Sequence, residues 1–175
     1  MAADEPSGEG AYRLSRPAQP SEWQAYREIR RSVHFEGEDE EAPPPDQDED
    51  LRSGNYPLLL WLHGRPVGAI RVDSLDNGGA ALRLVAIHPD CQGQGHGRVL
   101  LREAEAFARE IGCRMAVIYS TMEAAGFYAN AGYAENEWDD QYFGGVVLMT
   151  KPLHFAGFDL SADGEEAPPV SGSER

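Results

Sequence analysis

The chain has 175 residues, 41% of them apolar, and a formal net charge of −15. That is enough apolar material for one buried core, and no internal repeat points to a second domain. The charge is local: residues 1–12 carry −3, residues 36–50 carry −9 with no basic side chain, residues 159–175 carry −4, and the remainder holds fourteen basic and thirteen acidic side chains, a distribution that excludes both the basic patch of a nucleic-acid-binding surface and a general acidic coat.

Residues 1–11 contain acids and glycine but neither a basic nor an apolar run, so no secretory signal is expected there. No apolar run approaches the ~18 residues of a membrane span, and a cytoplasmic location follows by default. Residues 1–11 and 159–175 read as disordered tails around one domain over residues 12–155. Tyr12 to Arg16 reads as a first strand ended by Pro17. Ser21 and Gln24 form the pattern of a capping box, opening a helix through about Arg31 whose buried face is Trp23, Tyr26, Ile29 and Val33. The acidic stretch 36–50 has no apolar side chain larger than alanine or proline, so burial cannot offset its ordering entropy and a mobile loop is expected. Pro57 to Leu62 and Val67 to Val72 read as strands flanking the turn His63-Gly64-Arg65-Pro66, and Asn77-Gly78-Gly79 marks another turn.

Next come Leu82, Leu84 and Val85-Ala86-Ile87, the pattern of a buried strand, then His88-Pro89 and the loop Gln92-Gly93-Gln94-Gly95-His96-Gly97-Arg98. Three glycines in five residues let backbone N–H groups approach a ligand without a Cβ in the way. Leu100, Ala104, Phe107, Ala108 and Ile111 then fall on one face of a helix from about Gly95 to Ile111, capped by Gly112. The N-terminus of that helix opens into the loop, a place for a phosphate or pyrophosphate. The dinucleotide pattern GxGxxG fails at Arg98 and at Leu100, and a P-loop needs a Gly-Lys pair where the only lysine is Lys151. Cys113 to Tyr119 reads as a central strand, Ala125 to Tyr133 as a short helix and its exit, and Val146 to Met149 as the last strand. Cys91 and Cys113 have no partner at metal-ligand spacing and read as free thiols; no metal site is expected.

The strand ending in Ile87-His88-Pro89, the spacing QxxGxG at Gln92, Gly95 and Gly97, and Ala125-Gly126-Phe127-Tyr128-Ala129-Asn130-Ala131-Gly132-Tyr133 together resemble the GNAT superfamily of N-acetyltransferases. The resemblance implies a mixed, mostly antiparallel central sheet flanked by helices, a three-layer αβα fold of the α/β (mixed α+β) class. It implies acetyl-CoA as the acyl-donor cosubstrate. Val85, Ala86 and Ile87 would meet the thioester and pantetheine arm where the motif strand and the next one splay apart. Gln92, Gly93, Gln94, Gly95, His96, Gly97 and Arg98 would hold the pyrophosphate. Tyr128 stands at the position of the family's tyrosine general acid, which would protonate the departing thiolate.

Two positions depart from the family pattern. Where many members place an asparagine against the pantetheine arm, this chain has Thr121. Where many carry a glutamate general base on the motif strand, Ala81 to Ile87 contains no acid. His34, Glu36, Glu135, Asp139 and Asp140 are the candidates for that role, because the family builds its acceptor site near those segments. Trp138, Asp139, Asp140 and Tyr142 could wall the same site. The expected activity is acetyl transfer to a primary amine, on a small molecule or a peptide, by direct attack in a ternary complex. The expected partner is that amine acceptor, for which a cationic character is one option given the acidic stretch; a homodimer is another option, and neither nucleic acid nor membrane is expected. The alternatives are a coenzyme A-binding sensor without turnover and an acyltransferase for a longer acyl-CoA.

Overall fold

The computed structural model describes residues 12–34, 47–136 and 145–154. Among the described residues, seven strands form one sheet: β1 (Tyr12–Ser15), β2 (Asn55–Leu62), β3 (Arg65–Ser74), β4 (Gly79–Ile87), β5 (Met115–Thr121), β6 (Ala134–Glu135) and β7 (Val146–Pro152). Their spatial order is β1-β2-β3-β4-β5-β7-β6. All neighbours are antiparallel except β4 and β5, the one pair joined through a helix, α3 (His96–Glu110). The expected mixed, mostly antiparallel sheet is therefore present, and helices cover both of its faces.

On one face, α1 (Pro20–His34) lays Tyr26 and Ile29 on Leu59, Ala69 and Ala86, with Trp23, Val33 and Trp61 at the rim. On the other, α3 contributes Leu100, Leu101, Ala104 and Ala108, and α4 (Met122–Asn130) contributes Tyr128, to a core with Leu58, Leu60, Ile70, Val72 and Ile118. Each large side chain so buried is worth about 1.5–3 kcal/mol. Helix α3 ends as the sequence suggests: Cys113 N–H bonds Ala108 C=O at 2.9 Å and Gly112 N–H bonds Arg109 C=O at 2.9 Å, the double closure of a Schellman cap.

Two local expectations need correction. The capping box of α1 does not use Ser21 and Gln24. The helix begins a residue earlier, and the Glu22 carboxylate reaches back to accept from the N–H groups of Ala18 (2.6 Å) and Gln19 (3.1 Å), which hold its carboxyl below the usual range. Gln24 instead donates to Glu28 at 2.8 Å, one helical turn on. The second correction concerns the far end of the acidic stretch. Residues 36–46 lie outside the described residues, but Gln47–Asp50 form a helical turn, α2, and Asp50 is only 3% exposed. It accepts hydrogen bonds from Arg30 (2.7 Å), Arg71 (3.2 Å) and the Tyr26 hydroxyl (3.2 Å). A carboxylate with three donors, two of them cationic, is a fixed part of the α1 face, not of a solvated loop.

Candidate functional site

The site begins with a defect in a ladder. In β3 and β4, Arg71 pairs with Arg83 and Ala69 with Ala86, so Leu84 and Val85 face the single residue Ile70. Leu84 sits in the left-handed region at φ 54°, a conformation rare for a leucine, and the strand bends there. The parallel pairing of β4 with β5 runs only from Gly79–Met115 to Ala81–Val117; beyond it, Ile118 to Thr121 continue to pair with β7 while β4 goes its own way. Among the described residues, the edge of β4 from Leu82 to Ile87 that faces β5 thus has no ladder partner. Val85, Ala86 and Ile87 line that opening. The Val85 carbonyl is met by the His34 ring, Nε2 at 3.1 Å, from the end of α1.

Below the opening, the chain turns through a 3₁₀ segment, Pro89–Cys91, into the glycine loop. Gly93 (φ 72°) and Gly95 (φ 88°) take left-handed backbone geometry, and a Cβ at either would meet nothing within 4 Å: conformation, and not crowding, requires glycine there. Gly95 is the residue before α3 and has no side chain to cap it. Among the described residues, the N–H groups of His96 and Gly97 therefore have no partner and stand open to a ligand, backed by the positive end of a fifteen-residue helix. Gly97 is small for a different reason. A Cβ there would lie 3.1 Å from Cζ of Phe127, so α4 rests directly on the first turn of α3.

The side chains predicted around this cradle divide into those turned outward and those spent inside the protein. Arg98 is exposed on the first turn of α3. Gln92 donates to the Ile87 carbonyl and Gln94 to the Asp90 carbonyl, both at 3.1 Å, so they brace the loop. His96 is buried, its Nδ1 2.7 Å from the Tyr12 hydroxyl, and ties α3 to β1. Of the three, His96 offers its backbone N–H at the start of α3, whereas the Gln92 N–H is taken by the Pro89 carbonyl at 3.3 Å. Thr121 caps α4, its Oγ1 accepting from Ala124 N–H at 3.3 Å, which leaves its own O–H to donate.

Tyr128 lies on α4, 9% exposed, with no hydrogen-bond partner among the described residues. Burial raises its pKa above the ordinary tyrosine value, which keeps it a proton donor. The Tyr133 ring meets it edge-on at 6.0 Å, and the Tyr133 hydroxyl donates to Glu105 at 2.9 Å. Lys151 completes this brace, with its ammonium donating to both Glu105 oxygens (3.0 and 2.8 Å) and to the Ala131 carbonyl (2.9 Å). Helices α3 and α4 and strand β7 are thereby locked around the tyrosine.

On the α1 face, the sequence analysis missed a chain of charges. Arg30 pairs with Asp50 and Asp50 with Arg71. Arg71 grips Asp73 through Nε (2.7 Å) and Nη2 (3.1 Å), and Arg83 Nε donates to the same Asp73 at 2.8 Å. Arg83 then lies over the Tyr119 ring, 5.6 Å from its centroid. The available signal was charge at Arg71 and Asp73 on the strand face opposite Ile70 and Val72. Of the candidate bases, His34 stands at the opening and Glu135 is exposed on β6, whereas Glu36, Asp139 and Asp140 lie outside the described residues, as do Trp138 and Tyr142.

Residues 23–133 match the model of the acetyltransferase (GNAT) family. Among solved structures, an N-acetyltransferase described as putative from Lactobacillus plantarum superposes with a TM-score of 0.67 at 25% identity, over 82% of this chain and 99% of that one. The ribosomal-protein-S18-alanine N-acetyltransferase of Escherichia coli does so at 0.63 and 19% identity, over 85% of this chain and 98% of that one. An acyl-CoA N-acyltransferase from Pseudomonas aeruginosa gives 0.65 at 18%, over 80% and 97%.

Proposed function

Because the chain belongs to the acetyltransferase (GNAT) family, whose reaction is acyl-CoA-dependent transfer, we propose that it moves the acetyl group of acetyl-CoA to a primary amine, on a small molecule or a peptide, by direct attack in a ternary complex. One observation carries this reading. A helix N-terminus without a side-chain cap, preceded by two glycines in left-handed geometry, stands directly after a strand whose edge is left open by a bulge. That combination fits a pyrophosphate joined to an extended amide-bearing arm, which would pair with the open edge as an added strand does.

Acetyl-CoA brings the activated thioester; the remaining work falls to the protein. The N–H groups of His96 and Gly97, with the Arg98 guanidinium, bind the pyrophosphate. Backbone donors at the bulge, among Leu84 to Ile87, stand ready for the negative charge that grows on the thioester oxygen as the amine attacks. Tyr128 gives its proton to the leaving sulfur. The proton lost by the amine has no carboxylate to go to on β4, and His34 is the described candidate at the opening; its Nε2–H donates to the Val85 carbonyl, so the proton would be received at Nδ1. The same lack of a strand carboxylate favours a second reading, a coenzyme A-binding sensor without turnover.

Calorimetric titration with acetyl-CoA, with NADH as the control, comes first, followed by thiol release with a panel of amines. Binding of acetyl-CoA together with amine-dependent thiol release bears the proposal out. Binding without release from any amine leaves the sensor, and release that rises with acyl chain length means a longer acyl donor. No binding removes the proposal. Tyr128→Phe should lower kcat by about 10²–10⁴ with the affinity for coenzyme A unchanged.

A further inference from the structure

The acceptor side of the opening is cationic where the described residues line it. Arg83 lies one residue before the bulge, on the same face of the sheet as its cross-strand partner Arg71, and therefore on the α1 face, opposite the face that carries α3 and the proposed cradle and so the one left for the amine. Its position is fixed from two directions. Asp73 takes Nε, and the Tyr119 ring, itself 56% exposed, lies with its centroid 5.6 Å from the guanidinium carbon. Asp73 is shared: it already accepts two hydrogen bonds from Arg71, so its single charge is divided between two guanidinium groups. The two terminal amino groups of Arg83 have no hydrogen-bond partner among the described residues, and the side chain is 40% exposed.

A guanidinium held through one nitrogen, set over a ring and with its two terminal nitrogens unpartnered among the described residues is suited to a two-point grip on a carboxylate. We propose that Arg83, seated on Tyr119, is the docking point for a carboxylate carried by the amine acceptor, so that the substrate class is amines bearing an acidic group, such as free amino acids. The proposal rests on the acetyl transfer set out above. It also bears on the acidic stretch. Asp50, which closes it, directs its charge to Arg30 and Arg71, so that end of the stretch is not available to draw a cation toward the site.

The test pairs each proteinogenic amino acid with its C-terminal amide, which keeps the amine and removes the charge, in a thiol-release assay with acetyl-CoA. Dipeptide amides with aspartate or glutamate first supply the carboxylate from a peptide side chain instead. At least one acid should exceed its amide about ten- to hundred-fold in kcat/KM, the worth of a charged hydrogen-bond pair. In Arg83→Gln that preference should vanish through a higher acceptor KM, with the KM for acetyl-CoA unchanged, while Arg83→Lys keeps part of it. Tyr119→Leu, at an exposed position, should raise the same KM by about two- to five-fold. Preference confined to the dipeptide amides keeps the carboxylate and assigns it to a peptide. Amides used as well as acids, or a preference that survives Arg83→Gln, overturns the proposal while acetyl transfer stands. Failure of acetyl-CoA to bind in calorimetry removes both.

Discussion

Replacing Asp50 with alanine should destabilise the protein far more than its place in an acidic stretch suggests. The side chain is 3% exposed, and its carboxylate faces Arg30 at 2.7 Å, itself 1% exposed, and Arg71 at 3.2 Å. Removing one partner of a buried pair leaves a desolvated charge uncompensated, at a cost of about 3–5 kcal/mol. Arg71 retains Asp73, which places the expectation near the lower end. For a chain of this size each kcal/mol moves the melting point by about 2–4 °C, so a fall of about 6–12 °C is expected. Glu49, one residue earlier, is the internal control: its pair with Arg52 is exposed, 39% and 69%, and such pairs are worth about 0–1 kcal/mol. Thermal melts followed by circular dichroism, with urea midpoints alongside, compare the two variants on the same helical turn. If Asp50→Ala costs no more than Glu49→Ala, the reasoning from burial is refuted.

Gly126 lies inside α4 without left-handed geometry and with open space where a Cβ would sit, so Gly126→Ala should stabilise by about 0.5–1 kcal/mol, seen as a higher urea midpoint. Gly97→Val should do the reverse, because its side chain must displace Phe127; a lower melting point together with at least ten-fold weaker acetyl-CoA binding is expected. Alkaline stability supplies a pH test. Burial raises the pKa of Tyr26, Tyr128 and Tyr133, so the folded state holds these protons longer than the unfolded chain, in which tyrosine ionises near about 10. The resulting stability is complete below that pH and is lost above it, by up to about 1.4 kcal/mol per pH unit for each tyrosine. Urea melts between pH 9 and 11.5 should show this slope, with a smaller one in Tyr128→Phe, and a flat profile would contradict it.

The features that could be read from the chain were those set by local geometry. Helix α3, its glycine cap and the loop before it are encoded within about twenty consecutive residues, and the structure places them where periodicity and glycine spacing put them. The antiparallel run β2-β3-β4 followed from turns and the parallel β4–β5 pair from the one helical crossover, whereas the insertion of β7 between β5 and β6 did not. What escaped was decided by distant partners. Nothing near Asp50 announces that Arg30 and Arg71 converge on it, and a run of acids reads as solvated until they do. The bulge is hidden for a related reason: Leu84 is an unlikely residue for positive φ, and only the surrounding sheet holds it there. Within the cradle, side chains of the right type at the right spacing do not reveal their direction. Gln92 and Gln94 turn to backbone carbonyls, and His96 turns to Tyr12.

Lys151 is the only lysine in the sequence, and each of its ammonium protons has an acceptor inside the fold. Thioesters acylate free amines without any enzyme, and a protein that concentrates one at its surface is its own nearest target. Here the lysine nitrogen is held by both Glu105 oxygens and the Ala131 carbonyl, which disfavours that reaction. The fold therefore presents no lysine amine to compete with the acceptor or to accumulate as modified protein during turnover, and amine-directed labels aimed at side chains will leave the native protein largely untouched until the Glu105 brace is opened.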